Sequence, residues 1–215
     1  MQSGEQRAPD GTYRMEAASD LDSIYASGKL PDVLRGTLEG AFTWQRRNET
    51  TLERTLNMPG LAPQWVAGLL AGGALAYVEG KPIPLAEVLQ NAAKQEIEAV
   101  DVPVAGLYWG TAQVARTPVD DPIVFAIAAV RMDQGVVVQA RAVLTGVWQA
   151  SVGDVDAVGS LAGGPLNRER IAEVSAKVAD EVSPKENYLG SVAYRRAMAV
   201  VLTRKALEMC LDGME

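Results

Sequence analysis

Ile123-Val124-Phe125-Ala126-Ile127-Ala128-Ala129-Val130-Arg131-Met132, then Asp133-Gln134-Gly135, then Val136-Val137-Val138-Gln139-Ala140-Arg141-Ala142-Val143 is the stretch that decides the fold. Two apolar runs are joined by three residues of turn chemistry, which is the pattern of an antiparallel hairpin. In the second run Val136, Val138, Ala140 and Ala142 point one way, and Val137, Gln139, Arg141 and Val143 the other. A further apolar run, Leu107 to Ala115, precedes the pair across Pro118-Val119-Asp120-Asp121-Pro122, and the last run extends to Trp148. The expectation is a three-stranded antiparallel meander.

Helices flank it on the C-terminal side. Asn167 can cap a helix whose Ile171, Val174, Val178 and Val182 share one face, and Ser191 can cap a second reaching about Leu211. Toward the N-terminus, Thr12 to Glu16 reads as a strand and Asp20 to Ala26 as a capped helix. Leu30-Pro31 reads as a helix start, Trp65 to Leu70 as an apolar helix, and Ala74 to Lys81 as strand plus turn. Asp101-Val102-Pro103-Val104 reads as loop, and so does Arg46 to Leu56. Gly72-Gly73 reads as a helix stop. The fold class is α+β, with a lead-in at 1–11, one lobe at 12–105 and a second at 106–215.

The residue census removes much chemistry. The 215-residue chain has no histidine and one cysteine, Cys210, so Ser-His triads and His-ligated metals are excluded, as are an intrachain disulfide and an iron–sulfur cluster. Cys210 lies between Met209 and Leu211 and reads as a small buried hydrophobe. A formal net charge of −7 argues against a nucleic-acid partner, which demands clustered Lys and Arg. No apolar run reaches about 18 residues and no basic-plus-apolar leader is present, so no membrane span is expected and a cytoplasmic location is the default. Gly163-Gly164-Pro165 is a poor anion loop, since proline removes a donor.

Ser191-Val192-Ala193-Tyr194-Arg195-Arg196-Ala197-Met198 followed by Val201-Leu202-Thr203-Arg204-Lys205-Ala206-Leu207 carries the most specific match in the chain. It is similar to the S-x-x-Y-R-x-x-M-x-x-V-L-x-x-R-A-L ending of the FAD-binding medium subunit of the molybdenum hydroxylases, the xanthine dehydrogenase and carbon monoxide dehydrogenase family, which the chain resembles. Pro84 to Leu89 resembles the family's P-L-x-E-F/L element, and Gly159 to Leu166 its L-x-G-x-x-L connection. The family's flavin loop, Arg-Asn, two residues, then Thr-x-Gly-Gly-Asn, is matched at Arg47, Asn48 and Thr51. Glu53, Arg54 and Thr55 stand where the family has Gly-Gly-Asn, and Gln64 stands where an acidic residue is frequent. Glycine lets a backbone approach a pyrophosphate, whereas Glu53 brings a Cβ and a negative charge.

The resemblance implies a remnant of the second flavin subdomain followed by the C-terminal lobe. The family's further N-terminal subdomain, with its own glycine-rich phosphate loop, has no counterpart in Met1 to Gly11. Arg47, Asn48, Thr51 and Arg54 are therefore the candidate cofactor-binding residues of a degenerate FAD loop, with no catalytic and no metal-binding residue and no cofactor expected on this chain. The first reading is a non-catalytic structural or assembly subunit, a pseudoenzyme that has lost FAD and belongs to an oligomer with other protein subunits, molybdopterin and iron–sulfur subunits among them. The alternative is an FAD-dependent electron-transfer subunit whose missing phosphate-binding part another chain supplies. A third reading, a free-standing small-molecule-binding domain, rests on generic apolar pockets. Under the first reading, apolar surface around Val33 to Phe42 and Trp65 to Leu70 is expected to need a covering chain, and Trp109 beside Tyr108 is expected to anchor an interface.

Overall fold

A computed structural model describes residues 11–91, 96–117 and 120–214. The lead-in before Gly11 and the Pro118-Val119 part of the turn lie outside the described residues. Two antiparallel sheets of four strands each carry the helices. The first sheet has the order β1 (Thr12–Glu16), β4 (Ala99–Pro103), β2 (Leu75–Val78), β3 (Lys81–Pro84), and the second runs β5 (Leu107–Val114), β6 (Val124–Asp133), β7 (Val136–Thr145), β8 (Val152–Asp154).

Turn chemistry fixes both hairpins. Glu79 and Gly80 have φ of 51° and 71°, and Gln134 and Gly135 have 47° and 80°. Two consecutive left-handed residues are the signature of the two-residue turn whose twist matches paired strands. Val78 therefore faces Lys81, and Asp133 faces Val136.

The helices of the first lobe are α1 (Leu21–Ala26), α2 (Asp32–Ala41), α3 (Trp44–Glu49), α4 (Leu52–Asn57), α5 (Pro63–Ala71) and α6 (Leu85–Gln90). Those of the second are α7 (Arg168–Glu181) and α8 (Val192–Asp212). Asp20, Asn167 and Ser191 cap α1, α7 and α8 through their side chains, each satisfying one of the donors that a helix start leaves unpaired.

β6 joins the lobes. Val124, Ala126, Ala128 and Val130 pack into the core beneath α7 and α8, while Phe125, Ile127 and Ala129 pack into the core built around α5. A strand covered on both faces has no reason to alternate polar with apolar. That accounts for the unbroken apolar run in the sequence.

Several expectations change. The meander has a fourth strand, β8, because β7 ends at Thr145 instead of continuing to Trp148, and the chain returns after Gly146 (φ 77°). Asp101-Val102-Pro103 is the end of strand β4, buried from Ala99 to Val102. Arg46 to Leu56 is two short helices joined at Thr50, not a loop. A 3-10 turn at Asp156–Leu161 also precedes α7. The surface expected to need a lid is covered from within the chain: Leu34, Leu38 and Phe42 are buried, as is every residue from Gln64 to Ala71. Trp109 packs inward against Gly72 and is not an exposed anchor.

Candidate functional site: the degenerate flavin loop

The four residues singled out in the sequence fall on α3, at the cap of α4 and on α4, and the side chains of Arg47, Asn48 and Thr51 have work inside the chain. Arg47 Nε donates to Asp22 Oδ1 at 3.1 Å, its Nη1 donates to the Phe42 carbonyl at 3.1 Å, and the guanidinium stacks 4.5 Å from the Tyr25 ring centre. Tyr25 is itself held by Arg35, 4.8 Å from the same ring, and donates its hydroxyl to Glu39. Asn48 Nδ2 donates to the Trp44 carbonyl one turn back. Thr51 Oγ1 accepts from the Arg54 amide and caps α4. Arg54 points into solvent, exposed on the surface of α4.

A phosphate group placed at a helix start needs free backbone N–H donors. At the start of α4 those donors are in use. Leu52 N–H donates to Ser19 O at 3.0 Å, Glu53 N–H to Ala17 O at 2.9 Å, Arg54 N–H to Thr51 Oγ1 at 3.3 Å and Thr55 N–H to Thr51 O at 3.4 Å. Leu21 N–H in return donates to Thr50 O, so the segment after β1 and the α3–α4 junction zip together. Thr55 is fully buried and its hydroxyl donates to the Leu52 carbonyl. Glu53 adds a carboxylate at the same end. The residues present do not fit a pyrophosphate at this loop.

The remaining polar features have structural partners. Gly163 N–H donates to Val137 O and Val137 N–H to Gly164 O, so the Gly163-Gly164-Pro165 loop extends the sheet edge instead of facing an anion. Cys210 is buried in the second core, which pushes its thiol up to about 12. At such a value no thiolate forms near neutral pH. Among the described residues no group of three His, Cys, Asp or Glu side chains is placed to hold a metal ion. No helix among them is long and apolar enough to cross a membrane.

The second lobe decides the kinship. The sequence model of the CO dehydrogenase flavoprotein C-terminal domain matches residues 111–210, from within β5 to near the end of α8. Over those residues the chain is similar to that domain. Solved structures extend the likeness over nearly the whole chain at the level of fold. A CO dehydrogenase from Hydrogenophaga pseudoflava that lacks the Mo-pyranopterin moiety of its cofactor superposes with a TM-score of 0.81 at 20% identity, over 96% of this chain and 77% of that one. Reconstituted CO dehydrogenase from Oligotropha carboxidovorans gives 0.78 at 20% identity, over 95% and 77%. Quinoline 2-oxidoreductase from Pseudomonas putida 86 gives 0.77 at 20% identity, over 98% and 78%. No curated protein sequence matches the chain significantly.

The resemblance read from Ser191 to Leu207 thus lies inside the matched domain. That motif has a structural reason as well as a familial one. Arg195 is 4% exposed and donates to Ile123 O, Gly146 O, Gly190 O and Asn187 Oδ1. It ties the start of α8 to the open end of the β6–β7 hairpin, where β6 begins and β7 finishes. The sequence motif contains Arg195 but gives no sign of its burial.

Proposed function

We propose that this chain is a non-catalytic structural or assembly subunit derived from the FAD-binding subunit of CO dehydrogenase-type molybdenum hydroxylases, with flavin binding lost at the α3–α4 site. The observation that carries the reading is the closed start of α4, where four successive amides are satisfied within the chain and Glu53 stands at a family glycine. A carboxylate a few Å from a phosphate adds about 1 kcal/mol of repulsion in water and several in a partly dry cleft. Arg47, a cation of the same loop, is engaged by Asp22, Phe42 and Tyr25. The subunit's role is then to occupy the medium-subunit place in a cytoplasmic assembly with molybdopterin and iron–sulfur subunits.

Titration of the purified chain with FAD tests this directly. The expected result is a colourless protein whose addition leaves flavin fluorescence and the visible flavin spectrum unchanged at micromolar concentrations. Stoichiometric binding by the chain alone would overturn the reading in favour of an electron-transfer flavoprotein. Co-purification of the tagged chain with a molybdopterin subunit tests the assembly role separately.

A further inference from the structure

Three donor side chains from β5 and β7, Trp109, Gln139 and Arg141, meet the end of α5 at the seam between the lobes, and Arg131 of β6 shares their face of the sheet. The register sets Trp109, Ala129 and Arg141 in one row and Leu107, Arg131 and Gln139 in the next. Directly opposed residues share a face, as do residues two apart along a strand. Trp109, Arg131, Gln139 and Arg141 therefore surround Ala129 on the face toward the first lobe, where Ala129 contributes only a methyl group. Gly72 and Gly73, the stop of α5, close over them. A Cβ on Gly72 would stand 2.8 Å from Trp109 Cη2, and one on Gly73 would stand 3.4 Å from Gln139 Nε2 and 3.5 Å from Arg141 Cζ.

This cluster is rich in donors and short of acceptors. Trp109 Nε1 and Arg131 Nε are both buried without a hydrogen-bond partner. Among the described residues Arg131 forms no ion pair or hydrogen bond, its Nε being buried without a partner. Arg141 makes no close ion pair or hydrogen bond and acts only at longer range on Asp154, where burial raises the carboxyl and Arg141 lowers it. Two guanidiniums on diagonal positions of adjacent strands repel each other in a half-buried seam. The carbonyl end of α5 favours a cation nearby, which accounts for Arg141 alone and supplies no acceptor to the other two buried donors. Arg141 also lines a depression of about 280 Å³ together with Ala140, Ala142, Asp154 and Asp156.

We propose that Arg131, Arg141, Gln139 and Trp109 form a binding site for the oxyanion group, carboxylate or phosphate, of a small molecule. Planar guanidiniums suit both groups because each offers two parallel N–H donors. Asp154 and Asp156, which share the neighbouring depression with Arg141, disfavour polyanions there. The site is independent of the α3–α4 loop, so its fate and that of the flavin reading are separate.

Thermal unfolding of the full chain at fixed ionic strength supplies the test, with inorganic phosphate and malonate as probes and chloride as control. A ligand of the folded state raises the midpoint progressively with its concentration. The midpoint is expected to rise with phosphate or malonate beyond the chloride control, and the more effective probe identifies the preferred group. Arg131→Gln should abolish the rise, and Arg141→Gln should weaken the apparent affinity at least about tenfold. Arg141 is exposed, so its variant folds and decides the matter if Arg131→Gln does not. Trp109 emission should change with the probe in the parent chain and not in Trp109→Phe. An equal rise in the parent chain and Arg141→Gln, or no rise beyond chloride, overturns the proposal.

Discussion

Arg195 is a buried cation held without a carboxylate, its charge spread over three carbonyls and one amide oxygen at 2.6 to 3.4 Å. Replacement by Met would leave those oxygens dry and unpaired, and each uncompensated group costs about 1–3 kcal/mol. Arg195→Met is expected to lose about 3–5 kcal/mol, measured by denaturant unfolding, and Arg195→Lys to recover only part because an ammonium cannot reach four separated acceptors. Asp154 has the opposite character. Burial raises its carboxyl above the ordinary value, against the lowering effect of Arg141. A group raised on folding contributes stability below its unfolded value of 3.8 and loses it as the pH climbs through the folded value. Asp154→Asn should therefore be more stable than the parent chain at pH 7, with the difference shrinking as the pH is lowered below the carboxylate range. A gain that persists at low pH would contradict the burial account.

Among the elements, β5 and α8 make the closest approach. A Cβ on Gly110 would overlap the carbonyl oxygen of Ala206, so helix and strand touch backbone to backbone only because glycine stands there. Gly110→Ala is expected to cost about 1–3 kcal/mol, seen as a lower unfolding midpoint with the same denaturant slope. Longer elements with strong signals were legible in the sequence: the β6–β7 hairpin from Asp133-Gln134-Gly135, and α7 and α8 from their caps and apolar spacing. β4 and β8 were not, because β4 ends in proline and β8 has three residues, too few for a period. The α3–α4 pair read as loop for a related reason. Six-residue helices have little intrinsic stability, and these are held by tertiary contacts, with Thr50 and Leu52 tied to Leu21 and Ser19. At the candidate site, the residue types at Arg47, Asn48, Thr51 and Arg54 were legible, but the closure of α4's first turn was not, since its acceptors lie some thirty positions away in sequence at Ala17 and Ser19.

At the scale of the molecule, the two cores are mechanically one. Ile127 is fully buried in the first core and Ala128 in the second, so neither lobe can open without stripping a face of β6. Unfolding is expected to be a single transition by both far-UV dichroism and tryptophan emission, and Ile127→Ala, costing about 2–5 kcal/mol, should shift both probes together. Two separate transitions would refute the coupling. The shared strand also leaves a mark on what variation the protein tolerates. In a saturation library selected for folded protein, β7 between Val136 and Ala142 should show an alternating profile, permissive at Val136, Val138 and Arg141 and strict at Val137, Ala140 and Ala142, with the beat displaced by the bulge opposite Arg131 and Met132. From Val124 to Val130 the profile should be flat and uniformly strict, a strand with no silent side on which neutral change can accumulate.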